Sequence, residues 1–105
     1  METNMTAVKR DNQGEKWEVE LKGEIDLYNA DELKEEISVI SEGNVDVACE
    51  ELEYIDSTGI GILVSQFKKL KDQGFTIRIH GLKPHLYRIF ILTNLQTFFD
   101  IEEAK

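Results

Sequence analysis

The chain is 105 residues long, 41% hydrophobic and 31% charged. That fits one globular domain spanning residues 1–105 and able to bury roughly 60–70% of its unfolded surface. No apolar run approaches the roughly 18 residues a membrane span needs, and a formal charge of −9 offers no phosphate-neutralising surface, so neither a membrane nor nucleic acid is an expected partner.

The charge is unevenly placed. Residues 1–56 hold 17 acids and 5 bases, net −12, whereas residues 57–105 hold 4 acids and 7 bases, net +3. A single cysteine, Cys49, excludes an internal disulfide and a cysteine-rich zinc site. It reads as a small buried hydrophobe, because it sits in an apolar strand. The opening residues Met1 to Met5 have no basic or apolar leader character, and a cytoplasmic location is expected.

Residues about 5–10 and 17–22 read as two strands around the polar turn Asp11-Asn12-Gln13-Gly14, with Trp17, Val19 and Leu21 alternating against Glu18, Glu20 and Lys22. Gly23 is expected to break the second strand and open the loop Glu24 to Tyr28. Asn29, followed by Ala30-Asp31-Glu32, has the form of a helix cap with a capping box. Ala30, Leu33, Ile37 and Ile40 form the apolar stripe of that helix, opposite a solvated acidic face of Asp31, Glu32, Glu35 and Glu36.

Val45 to Cys49 reads as a short buried strand and Leu52 to Ile55 as a further extended piece. A second helix is expected from about Thr58 to Asp72, with Ile60, Leu63, Val64, Phe67 and Leu70 inward and Lys68, Lys69 and Lys71 near its C-terminus, where cations complement the dipole. Gly74 ends it. Phe75 to His80 supplies another strand, and Pro84 opens a third helix with Leu86, Ile89, Phe90 and Thr93 inward. Asn94 fits a left-handed C-terminal cap, and Thr97 to Ile101 reads as a last strand or helix, with Phe98 and Phe99 closing the core. The order ββαβαβα predicts an α/β fold, a mixed sheet covered by helices on one or both faces.

One segment carries chemistry. Tyr54-Ile55-Asp56-Ser57-Thr58-Gly59-Ile60-Gly61-Ile62-Leu63 places Asp-Ser-Thr where an extended strand becomes a helix. Free N–H groups and the positive dipole end there suit a hydroxyl, carboxylate or phosphate. The plain structural reading makes Ser57 or Thr58 the N-cap and Gly59 and Gly61 packing glycines. As an enzyme the chain lacks parts: Ser57 has no nucleophile elbow, and His80 and His85 read as surface side chains rather than its base. No metal-ligand spacing and no phosphate-cradling Walker loop is present, so no cofactor is expected.

The run Ile55 to Leu63, together with Gly23-Glu24-Ile25-Asp26 upstream, resembles the signature of the STAS domain family and, within it, the single-domain anti-sigma factor antagonists. The resemblance extends over nearly the whole chain, including the 30-residue separation of Asp26 and Asp56, the Gly81 to Pro84 turn and Thr93-Asn94-Leu95. It implies a regulatory switch: Ser57 would be phosphorylated by an anti-sigma factor that is also a serine kinase. The unphosphorylated form would bind that partner and free a sigma factor, and a serine phosphatase would reset the cycle. Asp26, Asp56, Ser57, Thr58, Gly59 and Gly61 would form the partner surface. The family also leaves weak nucleotide binding open. The same domain serves elsewhere as a scaffold in stress-signalling assemblies or a subunit of lipid-transport complexes, which is the alternative here. Ala48 departs from the family pattern, standing where an acid or amide is common and where a loop contact or ligand pocket would feel the loss.

Overall fold

The computed structural model describes residues 16–104 and the backbone of residues 6–10. Its elements are β1 (Thr6–Arg10), β2 (Lys16–Ile25), α1 (Ala30–Ile37), β3 (Asn44–Ile55), α2 (Ser57–Asp72), β4 (Ile77–Leu82), α3 (Pro84–Leu92), a 3-10 turn (Leu95–Thr97) and β5 (Asp100–Glu103). The five strands lie side by side in chain order; β1 runs antiparallel to β2, and β2 through β5 are mutually parallel. The expected mixed α/β sheet is present. The polar turn expected at residues 11–14 lies outside the described residues.

Each parallel pair is joined through a helix. Such crossovers are right-handed, and three in succession moving the same way across the sheet put their helices on one face. Side-chain burial agrees. Val19, Leu21, Val45, Val47, Cys49, Ile77 and Ile79 pack with Leu33, Leu63, Phe67, Leu86 and Phe90 in a single cluster. The alternate residues form a charged open face, where an ion-pair ladder crosses the strands from Lys16 to Asp46 (2.9 Å), Asp46 to Arg78 (3.6 Å) and Arg78 to Glu102 (2.9 Å). A sheet with one wet face commonly shows this division.

Several local expectations are corrected. Gly23 does not end β2; it takes φ 72° within the strand, at one of two register shifts against β3. Those shifts give β3 one extra residue between Ala48 and Glu51 and another between Leu52 and Tyr54. Bulges of this kind interrupt the period-2 pattern, which is why one 12-residue strand reads as two short pieces. Strand β4 begins at Ile77 rather than Phe75. Helix α1 stops at Ile37, so Ile40 is buried from the loop beyond it. Thr93 is exposed at the end of α3, its hydroxyl donating to the Ile89 and Phe90 carbonyls.

Other expectations match. Cys49 is fully buried, and burial pushes its thiol up to about 12. Asn94 takes the left-handed conformation at φ 62°. Phe99 is buried edge-on against Phe67 at 6.4 Å, with Phe98 beside it. The acidic side chains of α1 face solvent, as does His85, whereas His80 is half-buried on the open face near Glu50.

Candidate functional site

Strands β2 and β3 end alike, with a buried isoleucine followed by an aspartate. Ile25 is in register with Ile55, so Asp26 and Asp56, 30 residues apart in sequence, leave the sheet as neighbours. The Asp56 amide donates to the Ile25 carbonyl at 3.0 Å and carries the pairing into the site.

Asp56 then does two things at once. Its extended backbone makes it the N-cap of α2, and its Oδ1 accepts from the Gly59 amide at 3.0 Å. Its Oδ2 accepts from the Leu27 amide at 3.1 Å. The cap is therefore Asp56 and not Ser57 or Thr58, which correct the plain structural reading by standing as the first two residues of the helix, both exposed. With Asp56 capping, the Ser57 hydroxyl is not needed for the helix start, and Ser57 stands exposed in the first turn, the end of the helix where free N–H groups and the positive dipole end lie.

The loop facing it is tightly tied. Asp26 Oδ1 accepts from the Tyr28 amide at 3.0 Å. Asn29 does not cap α1: its Oδ1 accepts from the Asp26 amide at 2.9 Å and its Nδ2 donates to the Glu24 carbonyl at 2.9 Å. The Asn29 amide also donates to the Asp26 carbonyl at 3.1 Å. The capping box expected for α1 is absent because Asn29 spends its side chain on the loop before the helix. That use was missed in the sequence, as were Leu27 and Tyr28, which face solvent. Two consecutive large apolar residues in an otherwise polar loop were the available signal.

The two glycines differ. A Cβ on Gly59 would lie 2.7 Å from Ile55 Cγ1 and 2.9 Å from Ile25 Cγ2, so this glycine lets α2 start directly on the paired strand ends. A Cβ on Gly61 would meet nothing within 4 Å. Gly61 is exposed, one turn along α2 from Ser57, and residues four apart share a helix face. Of the six expected site residues, Asp26, Asp56, Ser57 and Thr58 gather at this junction with Gly59 beneath them and Gly61 beside them.

Ala48 falls elsewhere. It lies in mid-β3 on the open face, between Glu20 and His80 in the registers of the neighbouring strands, so its departure from the family pattern is not in the Asp26 loop. Among the described residues, no group of three or more His, Cys, Asp or Glu side chains is placed to hold a metal ion, and no helix is long and apolar enough to cross a membrane.

A helix opening on a capped Asp-Ser-Thr-Gly turn, set against an Asp-bearing loop on a sheet of this topology, defines an STAS-type domain. The STAS domain profile matches residues 6–104, and the chain belongs to that family. It is similar to the anti-sigma-B factor antagonist of Bacillus subtilis (strain 168), at 36% identity over 86 residues, covering 80% of this chain and 79% of the relative. Among solved structures, an anti-sigma factor antagonist from Mycobacterium paratuberculosis has a TM-score of 0.77 at 24% identity, covering 95% of this chain and 86% of that one. The anti-sigma factor antagonist SpoIIAA in its unphosphorylated form has a TM-score of 0.71 at 17% identity, covering 96% of this chain and 90% of that one. The phosphorylated form of this Bacillus cell fate determinant gives 0.70 at 16%, covering 92% and 90%. These structures share the fold.

Proposed function

We propose that this chain is a cytoplasmic anti-sigma factor antagonist switched by phosphorylation of Ser57. Unphosphorylated, it binds an anti-sigma factor that is also a serine kinase and so releases a sigma factor; a serine phosphatase restores the bound form. The observation that carries the reading is the division of labour at the junction: Asp56 caps α2 and holds the loop, leaving the Ser57 hydroxyl exposed at the helix start. Support also comes from the relative named for this activity and from the fold shared with a protein solved in both phosphorylation states.

In the transfer, Ser57 Oγ forms the new bond to the γ-phosphorus of ATP while the bond to ADP breaks, and the hydroxyl proton passes to the kinase. The product carries about −1.5 to −2 charge. Helix N–H groups and the dipole accommodate that charge locally, so the fold is unchanged. A docked partner meets something different: a bulkier, more negative surface beside the loop that carries Asp26. A loss of about 3 kcal/mol weakens affinity more than a hundredfold, enough to reverse the switch by interface repulsion alone. On this reading Asp26 and Asp56 act on the partner surface chiefly by positioning it, while Ser57, Thr58 and Gly61 meet the partner.

Incubation with the anti-sigma factor kinase of the same organism and ATP, followed by phosphopeptide mapping, tests the assignment. Modification at Ser57, lost in Ser57→Ala, is expected; modification confined to residues outside Ser57 and Thr58 contradicts it. Recovery from a pull-down of a transporter ATPase that ignores phosphorylation would instead favour the scaffold or lipid-transport use of the domain.

A further inference from the structure

The largest exposed apolar side chains next to the site are consecutive: Leu27 is 64% and Tyr28 90% accessible. Slackness does not explain their exposure. The Leu27 amide is held by Asp56, the Tyr28 amide by Asp26, and Asn29 fastens both sides of the turn through Asp26 and Glu24. The backbone is thus fixed in a conformation that leaves a leucine and a tyrosine in water, although removal of their apolar surface from water is favourable.

We infer that Leu27 and Tyr28 are the apolar anchor of the docking surface, seated on binding in an apolar pocket of the anti-sigma factor whose rim carries cations. The inference rests on the function proposed above and adds the chemistry of recognition. Tyrosine on a rigid loop has the properties of an interface hot spot, a large contact area with little side-chain entropy to lose. The anchor is continuous with the phosphoacceptor, because the carboxylate that holds Leu27 belongs to the residue preceding Ser57. Its fringe in sequence is acidic: Asp31 and Glu32, exposed in the first turn of α1, follow after Asn29 and Ala30. A basic rim complements that fringe, whereas a second copy of this chain would bring the same acids against it in an isologous contact. Asp26, Asp56 and Asn29 are then positioning residues, holding the anchor toward the partner.

Titration calorimetry of the anti-sigma factor kinase against wild type, Leu27→Ala, Tyr28→Ala and Tyr28→Phe, with thermal unfolding of each, tests this. Expected is a loss of affinity of at least about tenfold for each alanine variant, near-complete retention in Tyr28→Phe, and unchanged thermal midpoints. Alanine variants that bind like wild type overturn the anchor while leaving the proposed function standing. Wild type that does not bind at all overturns the proposed function first. Sedimentation showing dimers abolished by Tyr28→Ala, with kinase affinity unchanged, assigns the pair to self-association and also overturns the inference.

Discussion

The Asp56 carboxylate accepts the amide of Leu27, 29 residues before it, through one oxygen and the Gly59 amide through the other. The start of α2 and the loop before α1 are therefore a single unit, and disturbing one disturbs the other.

Substitution at Asp56 separates its two duties. Asp56→Ala removes the cap and leaves the Leu27 amide unsupported, with an expected cost of about 1–2 kcal/mol in denaturant unfolding. Asp56→Asn retains an oxygen for the Gly59 amide, but its NH₂ group cannot accept from Leu27. Most of the stability is expected to survive in that variant while hydrogen exchange quickens at Leu27 and Tyr28. Equal losses in both variants would show that the loop contact, and not the cap, dominates.

Gly59 and Gly61 predict opposite signs for the same change. Gly59→Ala forces a methyl against Ile55 and Ile25 and is expected to destabilise by about 1–3 kcal/mol. Gly61→Ala enters open space in an exposed helix and is expected to stabilise by about 0.5–1 kcal/mol. Because the fold gains nothing from the bare helix turn beside Ser57, Gly61→Ala is also expected to weaken partner binding despite the higher thermal midpoint. A variant both more stable and fully competent in binding would remove Gly61 from the docking surface.

How far the fold could be read in the sequence divides along local and non-local lines. The three helices, the stripes of α1 and α2, and the Asn94 cap follow from periodicity and backbone preference within a few residues, and so were legible. The Asp56–Leu27 bond, the Ile25–Ile55 register and the Lys16–Asp46–Arg78–Glu102 ladder depend on which strands lie together, which no local pattern encodes. Asn29 shows the cost most clearly. Its sequence context fits a helix cap, yet its side chain makes better use of Asp26 and Glu24, a choice set by the strand end that brings the Glu24 carbonyl within reach. At the site, Asp56 and Ser57 were visible through their motif, but the division between them was not.

Burial of Cys49 makes stability depend on alkaline pH. With the native thiol pushed up to about 12 from 9.0, the native state keeps its proton where the unfolded state loses it. Stability is full below about pH 9 and falls as pH rises toward 12, by up to about 1.4 kcal/mol per pH unit. Chemical denaturation of Cys49→Ala is expected to lack this part of the slope. In the native wild type the thiol is expected to resist iodoacetamide at pH 8 and to react once the chain is unfolded; rapid alkylation of the folded protein would contradict its burial.

The net charge of −12 over residues 1–56 predicts a salt dependence of partner binding. If a basic partner face docks there, the association rate is expected to fall steeply as salt is raised from about 0.05 to 0.5 M, with less effect on dissociation. A salt-independent association rate, measured by stopped flow, would leave the charge asymmetry without a role in recognition.

In the proposed switch, phosphate on Ser57 lowers partner affinity without altering the fold. Its most direct measurement is the Kd of the anti-sigma factor kinase for the unphosphorylated protein and for protein phosphorylated at Ser57. A loss of roughly a hundredfold or more on phosphorylation, with an unchanged thermal midpoint, is expected. Equal affinity of the two forms would contradict the switch, and a large drop in the midpoint on phosphorylation would contradict its working by interface repulsion.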